Sequence, residues 1–228
     1  MSQKEWWNAR FSDDKEIMRQ GLQAATAKIL TDKLWVENLP EFGQVAESAV
    51  GSRVIDLGCG YGQLSLFFEK LGACVTAVDF SENALAVLKS HSSNIKTKVL
   101  DITKPLPFDD EDFDIVIANL SLHYFSEFDT RNAITEAKRI LKKDGFLVGS
   151  VVSTEEWEFV KHRGTFQEIE PNHYHEIFDS GRTKHIRFFS RDCINKFFGD
   201  FEFLYLENKF EQRMGKSKGA WEFIARRK

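Results

Sequence analysis

The sequence predicts an α/β fold, a mostly parallel, doubly wound sheet with helices on both faces, and three observations lead there. Short apolar runs alternate with amphipathic stretches from VIDL, starting at Val54, to FLVGSVV, ending at Val152; that alternation builds parallel strands joined by crossover helices. The first run passes directly into GCGYG, Gly58 to Gly62, a glycine turn that suits a strand-to-helix junction. With 228 residues, 42% hydrophobic and 29% charged, the chain can enclose one sizeable core, and a single domain over residues 1–228 is expected.

Each element has its own signal. Ser12 and Asp13 precede a stretch in which Met18, Leu22, Ala25 and Ile29 recur at helical spacing, and Pro40 marks its expected end. After the strand at Val54, Leu64, Phe67, Phe68 and Leu71 share a helix face that Gly72 closes. CVTAVD is a second strand ending in an acid, and Ser81 is placed to cap the helix ENALAVLKSH. TKVLD and FDIVIANL are two more strands; TRNAITEAKRILKKDG is a helix stopped by Gly145, followed by FLVGSVV. The pattern then breaks. Residues 153–189 mix aromatics with His and Arg, show no helix period, and hold a DSGR turn suited to joining two strands. A long irregular insertion of this kind is more often functional than idle. Ser190 caps a last helix, and DFEFLYLENKF and GAWEFIARR follow as strands close enough for an antiparallel hairpin.

Composition removes several classes of function. No apolar run approaches the ~20 residues that cross a bilayer, and the charged opening MSQKEWWNARFSDDKE lacks a secretory apolar segment. Cys59, Cys74 and Cys193 are odd in number and widely spaced, which disfavours a disulfide framework and a zinc site. A cytoplasmic protein is expected, with no membrane partner. The formal charge of −4 gives no net attraction to a polyanion, so nucleic acid is not the expected partner.

The glycine turn carries the chemistry. Gly58, Gly60 and Gly62 stand at the carboxyl end of a strand, where open α/β sheets bind ligands. Their spacing is G-x-G-x-G with Asp56 two residues upstream, one residue short of the dinucleotide fingerprint, so nicotinamide-dependent oxidoreduction is disfavoured. Asp79 and Asp101 end the next two strands. One aspartate at a strand end is ordinarily a turn residue, but three in register with a glycine loop suit a ligand rich in hydrogen-bond donors.

On these residues the segment from about Val54 to Val152 resembles the class I S-adenosylmethionine-dependent methyltransferases, and is most similar to their small-molecule branch, the ubiquinone-biosynthesis and tellurite-resistance type. The resemblance implies a Rossmann-like methyltransferase fold: a doubly wound, mostly parallel seven-stranded sheet with an antiparallel C-terminal strand, matched here by the final hairpin. It implies S-adenosyl-L-methionine as cofactor. Asp56 and the backbone of Gly58, Cys59 and Gly60 would hold the methionine part, with Gly62 completing the loop. Asp79 would accept from both ribose hydroxyls, Asp101 and the backbone of Ile102 would read the adenine amino edge, and Phe80 would lie against the ring. Asn119 and Leu120 end the fourth strand, where cofactor and acceptor meet in the family. Residues 1–45 would form a helical lid and residues 153–189 a substrate-region insertion. Such a cofactor offers an ammonium, two hydroxyls and an amine but no phosphate, which suits carboxylates independently of any resemblance.

Methyl transfer from a sulfonium is an in-line displacement, so alignment supplies much of the rate. A base is needed only where the acceptor is a hydroxyl or a protonated amine. His123, with Tyr124 beside it, is the catalytic candidate, against the alternative that it caps or packs under the next segment. Trp7, His123, Trp157, His173 and His175 are candidate substrate contacts, and Phe159 and Phe166 could join them. Trp6, Trp7 and Phe11 could equally anchor the first helix. His173 and His175 alternate at strand spacing and so share a face, like half of a metal site, but without a third ligand no metal is expected. NLSL at Asn119 to Leu122 replaces the D/N-P-P-Y/F motif of enzymes that methylate nucleobase or glutamine amines, and no Pro-Cys pair is present to attack a pyrimidine. The expected partner is a small-molecule oxygen or nitrogen acceptor. RNA or protein methylation, which needs a basic surface around the pocket, and a non-catalytic cofactor-binding subunit or sensor, which needs no acceptor space, stay open as alternatives.

Overall fold

The computed structural model describes Trp7 and residues 39–162, 164–178, 183–213 and 216–228. The helix expected around Met18 to Ile29, with Trp6 and Phe11, lies outside the described residues. Pro40 opens a helix, and the stretch it was expected to end lies outside the described residues. It stands in the first turn of α1 (Pro40–Ala49), where a missing N–H removes nothing because the first amides of a helix have no partner within it.

Five strands and three further helices follow in strict alternation up to β3: β1 (Arg53–Leu57), α2 (Gln63–Lys70), β2 (Cys74–Asp79), α3 (Glu82–His91), β3 (Lys96–Val99), β4 (Phe113–Asn119), α4 (Glu127–Ile140) and β5 (Leu141–Val152). The remainder is α5 (Thr154–Val160), β6 (Thr165–Glu170), β7 (His173–Ile177), β8 (Thr183–Arg187), α6 (Arg191–Phe198), β9 (Phe201–Arg213) and β10 (Lys216–Arg227).

The main sheet is seven-stranded, in the order β3-β2-β1-β4-β5-β10-β9. β1 to β5 pair in parallel, and β10 lies antiparallel between β5 and β9, so the expected mostly parallel sheet with an antiparallel C-terminal strand is the one observed. The final strands run further into the EQRMGKSK link than the sequence indicates, to Arg213 and from Lys216. Helix α4 also stops before Gly145: it is capped at its start by Ser126, whose Oγ accepts from the Asp129 N–H (3.1 Å), and gives way at Leu141 to β5. Leu141 is fully buried and pairs with Phe113, so strand pairing overrides the helical pattern there.

Alternate residues of each strand feed two cores. Ile55, Leu57, Val116 and Leu147 pack with Ile134 and Ala137 of α4 and Phe198 of α6 on one face. Val54, Ile115, Ile117 and Val148 pack with Phe42 of α1, Phe67 and Phe68 of α2 and Leu88 of α3 on the other. This two-sided burial is what near-continuous apolar strands require. No helix among the described residues is long and apolar enough to cross a membrane.

The insertion is ordered differently from its sequence impression. It begins with a helix, α5, and continues as an antiparallel sheet in the order β6-β7-β8. The DSGR turn lies outside the described residues, and β7 and β8 pair antiparallel on either side of it.

Candidate functional site

β1 has β2 on one side and β4 on the other, and the chain reaches β4 only after β2 and β3. That reversal of winding leaves a crevice beyond the strand ends, the position where open α/β sheets bind ligands. The crevice holds a cavity of about 940 Å³, counted out to its open mouth, with Gly58, Cys59, Gly60, Asp79, Phe80, Ile102, Asn119 and Leu120 in its wall. Trp7, Tyr61, Gln63, Leu100, Ser121, Tyr124 and Phe125 complete the described lining. A mostly apolar wall with a few convergent polar groups is the kind of lining that takes small molecules and cofactors.

The glycine loop is shaped by two close approaches. Gly58 has φ +71°, and a Cβ there would stand 2.6 Å from Cβ of Ser121. Gly62, at φ +75°, is the N-cap of α2, and a Cβ there would lie 2.4 Å from Leu88. Both positions therefore exclude a side chain by backbone conformation and by space. The loop is tied to β2: the N–H groups of Gly58 and Cys59 donate to the Val78 carbonyl (2.8 and 3.0 Å), and the Gly60 N–H donates to Oδ2 of Asp79 (2.9 Å).

Asp79 is the electrostatic centre of the cavity. It is buried, its Oδ1 accepts from the Ser81 N–H (2.8 Å), and burial raises its pKa despite these backbone donors. Asp56 occupies a different place. It lies behind the loop, 3% exposed, accepting from Oγ of Ser65 (2.7 Å), and it is absent from the described cavity lining. Burial, and after it the Asp79 charge, pushes its pKa up to about 7 against the Ser65 hydroxyl bond, which lowers it. The structure thus makes Asp56 a support that fixes the start of α2, not a group facing the cavity. Gly62 also sits outside the lining, packed on Leu88.

Asp101 lies at the rim. Its Oδ1 accepts from both the N–H (3.0 Å) and the Oγ1 (2.7 Å) of Thr103, and it lines an adjoining hollow that shares Phe80, Leu100 and Phe125 with the main cavity. At the end of β4, Oδ1 of Asn119 accepts from Oγ of Ser150 (2.6 Å), and the Leu120 N–H donates to the Ser150 carbonyl (2.9 Å). Leu120 has φ +50°, an unusual conformation for a branched side chain and a mark of a constrained site.

The remaining candidates divide. Tyr124 lines the cavity and meets Trp7 edge to face, with ring centroids 4.9 Å apart. His123, a candidate base or else a residue packed under the next segment, is 1% exposed and stands outside the described lining, its ring against that of Tyr124 at 4.0 Å. The reason is local: Leu122–Tyr124 form a 3-10 turn, whose three-residue period sends neighbouring side chains in different directions. Trp157 does not reach the cavity. It stacks on Tyr174 (4.0 Å, 15°) and meets Phe166 and Phe188, so both Trp157 and Phe166 belong to the packing of α5 against the small sheet. The side chain of Phe159 lies outside the described residues.

His173 is 1% exposed and His175 half-buried, both on β7 and outside the cavity. A third imidazole, His185 on β8, joins them, although no group of three or more His, Cys, Asp or Glu among the described residues is arranged to hold a metal. Beneath them Arg187, 2% exposed, pairs with Glu170 and donates to the carbonyls of Phe125 and Pro171 (3.4 Å each). Glu170 also accepts from the Glu127 N–H (3.0 Å) at the start of α4. This ion pair ties the insertion to the segment bearing Tyr124 and Phe125. Sequence reading missed Arg187, His185, Tyr61, Gln63, Ser121 and Phe125. Only Tyr61 and Gln63 carried a signal, through their place in and beside the glycine turn.

Residues 54–145 match the family model described as a methyltransferase domain. Among curated relatives, the malonyl-[acyl-carrier protein] O-methyltransferase of Buchnera aphidicola is 37% identical over 100 residues, covering 44% of this chain and 39% of the relative. The chain spans less than two thirds of the length of the first curated relatives it matches, between 39% and 57% for the first three. A SAM-dependent methyltransferase structure from Methanosarcina mazei superposes with a TM-score of 0.69 at 21% identity, covering 78% of this chain and 92% of that one. The 1,6-didemethyltoxoflavin-N1-methyltransferase of Burkholderia thailandensis, solved with its acceptor and S-adenosylhomocysteine, gives 0.60 at 16% identity over 95% of this chain and 89% of that one.

Proposed function

With residues 54–145 matching the model of a methyltransferase domain, we propose that this chain is a class I methyltransferase that binds S-adenosylmethionine in the crevice beyond β1 and β4 and methylates an oxygen or nitrogen of a small molecule. The observation that carries this reading is the coupling of Asp79 to the glycine loop: one carboxylate lines the cavity, accepts from Gly60 and Ser81, and keeps the loop backbone against β2. A buried carboxylate at that position suits ribose hydroxyls as hydrogen-bond donors.

The residues fit the group. Gly58 to Gly60 leave room for the methionine part, and Asp79 for the ribose. Phe80, Leu100, Ile102 and Phe125 offer apolar walls to the adenine, with Asp101 at the rim. Bound there, the sulfonium supplies a methyl carbon open to in-line displacement. Trp7, Tyr124 and Ser121 would then face the acceptor: the aromatic edges exclude water, and the hydroxyls orient a heteroatom. His123 acts as support for the Tyr124 ring in this arrangement. The insertion, held by Arg187 and Glu170, forms the wall behind Phe125.

The relatives support both heteroatoms, since one is named for O-methylation and one structural neighbour for N1-methylation. The formal charge of −4 argues against a nucleic-acid substrate. Cys59, Cys74 and Cys193 are all free thiols, which supports a reducing cytoplasm.

Calorimetric titration with S-adenosylhomocysteine is the direct test. Saturable binding is expected, followed by transfer of label from methyl-labelled S-adenosylmethionine to a component of a metabolite extract, identified by mass. Absence of binding at millimolar ligand overturns the proposal.

A further inference from the structure

The small sheet separates its two faces by the two-residue period of its strands. One face, carrying Phe166 and Tyr174, packs on Trp157 and holds the Glu176–Lys184 ion pair (2.7 Å). The other carries Gln167, His173, His175, His185 and Arg187, brought together by the pairing of His173 with Arg187, His175 with His185 and Gln167 with His175. On that face Nδ1 of His173 lies 3.3 Å from Oε2 of Glu170, Nε2 of His173 lies 3.4 Å from Nδ1 of His185, and Nε2 of His185 lies 2.8 Å from Nε2 of His175.

The proton positions follow from the end of this chain, and they are assigned from the network. Burial works against the charge of Glu170, but the Glu127 N–H and Arg187 outweigh it and keep its carboxyl below the ordinary range. Ionised, it can only accept. Nδ1 of His173 must donate to it, so Nε2 of a neutral His173 accepts from the Nδ1–H of His185. Nε2 of His185 then accepts from the Nε2–H of His175, and Nδ1 of His175 is left presenting a lone pair. Burial, with Arg187 next in weight, pushes His173 down to about 4, and burial with the neighbouring His175 lowers His185, so these two rings are neutral near pH 7. His185 turns opposite nitrogens to its two neighbours. The rings therefore run in a line and do not converge on one point, which suits a proton rather than a metal ion.

We infer that Glu170, His173, His185 and His175 form a directional imidazole relay with Nδ1 of His175 as its proton-accepting end, and that it takes the proton displaced from a hydroxyl or protonated-amine methyl acceptor. β8 packs directly on the 3-10 turn Leu122–Tyr124, and Arg187, two residues from His185 on the same face, reaches the carbonyl of Phe125 in the cavity wall. Among the described residues the charged and titratable groups around the relay are Glu170, Arg187, Glu127 beside Glu170 and His123 on the turn beneath, with Gln167 as a neutral neighbour. In the transfer step the acceptor heteroatom bonds the methyl carbon as the carbon–sulfur bond breaks and its electron pair returns to sulfur. His175 stands outside the described cavity lining, so the acceptor's proton reaches its Nδ1 through water, leaving one positive charge on the imidazoles and Glu170 ionised. No oxidant or reductant is required. Which proton is taken rests on the methyl-transfer reading; the relay itself does not.

Two measurements on the full chain test the two parts. Long-range ¹H–¹⁵N correlation spectra of histidine-labelled protein at pH 7.5, assigned with His175→Gln and His185→Gln, are expected to show Nδ1–H tautomers for His173 and His185 and Nε2–H for His175. A His175 ring protonated on Nδ1 at that pH, or a His185 tautomer unaffected by His175→Gln, overturns the relay. With methyl-labelled S-adenosylmethionine and a metabolite extract, His175→Phe is expected to lower label transfer at least ~100-fold while S-adenosylhomocysteine affinity stays within twofold. Undiminished transfer overturns the role as proton acceptor. Failure of the methyl-transfer reading shows separately, as wild-type protein that takes up no S-adenosylhomocysteine, and in that event the tautomer spectra still decide whether the relay exists.

Discussion

Replacing Asp79 by alanine is expected to separate two roles of one carboxylate. In the unliganded protein the change strips the acceptor from two N–H groups, those of Gly60 (2.9 Å) and Ser81 (2.8 Å). A buried donor left without a partner costs about 1 to 3 kcal/mol. The Gly60 amide borders the open cavity, where water can replace the lost acceptor, so the low end applies to it and the total should be about 2 to 4 kcal/mol. For a chain of this size that corresponds to a Tm lower by roughly 4–16 °C. Binding adds a second loss. Charge-assisted bonds to the ribose hydroxyls contribute about 1.5 to 3 kcal/mol, so affinity for S-adenosylhomocysteine should fall by roughly 12- to 150-fold. Calorimetry below the variant's Tm, with circular dichroism as the check on folding, reads both effects. A folded Asp79→Ala protein that binds S-adenosylhomocysteine within twofold of the parent refutes the ribose role, and an unchanged Tm refutes the loop-anchoring argument.

Gly62→Ala combines a left-handed backbone, costing about 1 to 2 kcal/mol, with overpacking against Leu88, costing about 1 to 3 kcal/mol; denaturant unfolding should show a loss of roughly 2 to 5 kcal/mol. Asp56 has its folded pKa raised to about 7, so the stability it contributes is present at low pH and is lost as pH rises from the unfolded value of 3.8 through 7. The urea-unfolding free energy of the parent relative to Asp56→Asn should therefore fall between pH 4 and 7 and level off above; a flat difference contradicts the burial argument. Arg187→Leu leaves Glu170 with an uncompensated charge and is expected to cost about 3 kcal/mol, the low end for a buried pair because Glu170 is partly exposed. Adding Glu170→Leu should recover part of that loss in thermal unfolding.

Legibility followed the range of the interactions. The glycine loop, Asp79 and the strand ends could be read because each depends on local backbone demands at a fixed place in a strand–turn–helix unit. Pro40 gave no sign of the helix it opens, because the same residue can stop one helix and open the next. The two readings of His123, base or packed residue, could not be separated for a sharper reason. Beyond Asn119 the chain passes through a left-handed Leu120 and a 3-10 turn, and after such a reversal neither a period of two nor of 3.6 says which side chain faces the crevice. The insertion was opaque because its strands bury an aromatic face and an imidazole face instead of the usual apolar and polar ones. His185 could not be joined to His173 and His175 without the register across the β7–β8 turn, which lies partly outside the described residues.

The opposed faces of the small sheet have a consequence for how this protein can diversify. Tyr174, Phe166 and Trp157 fix the sheet to its supporting helix, whereas positions 167, 175, 183 and 185 point the other way. A lineage can rewrite the second set residue by residue while the mounting stays intact, so that face can vary by point substitution without disturbing how the sheet is held.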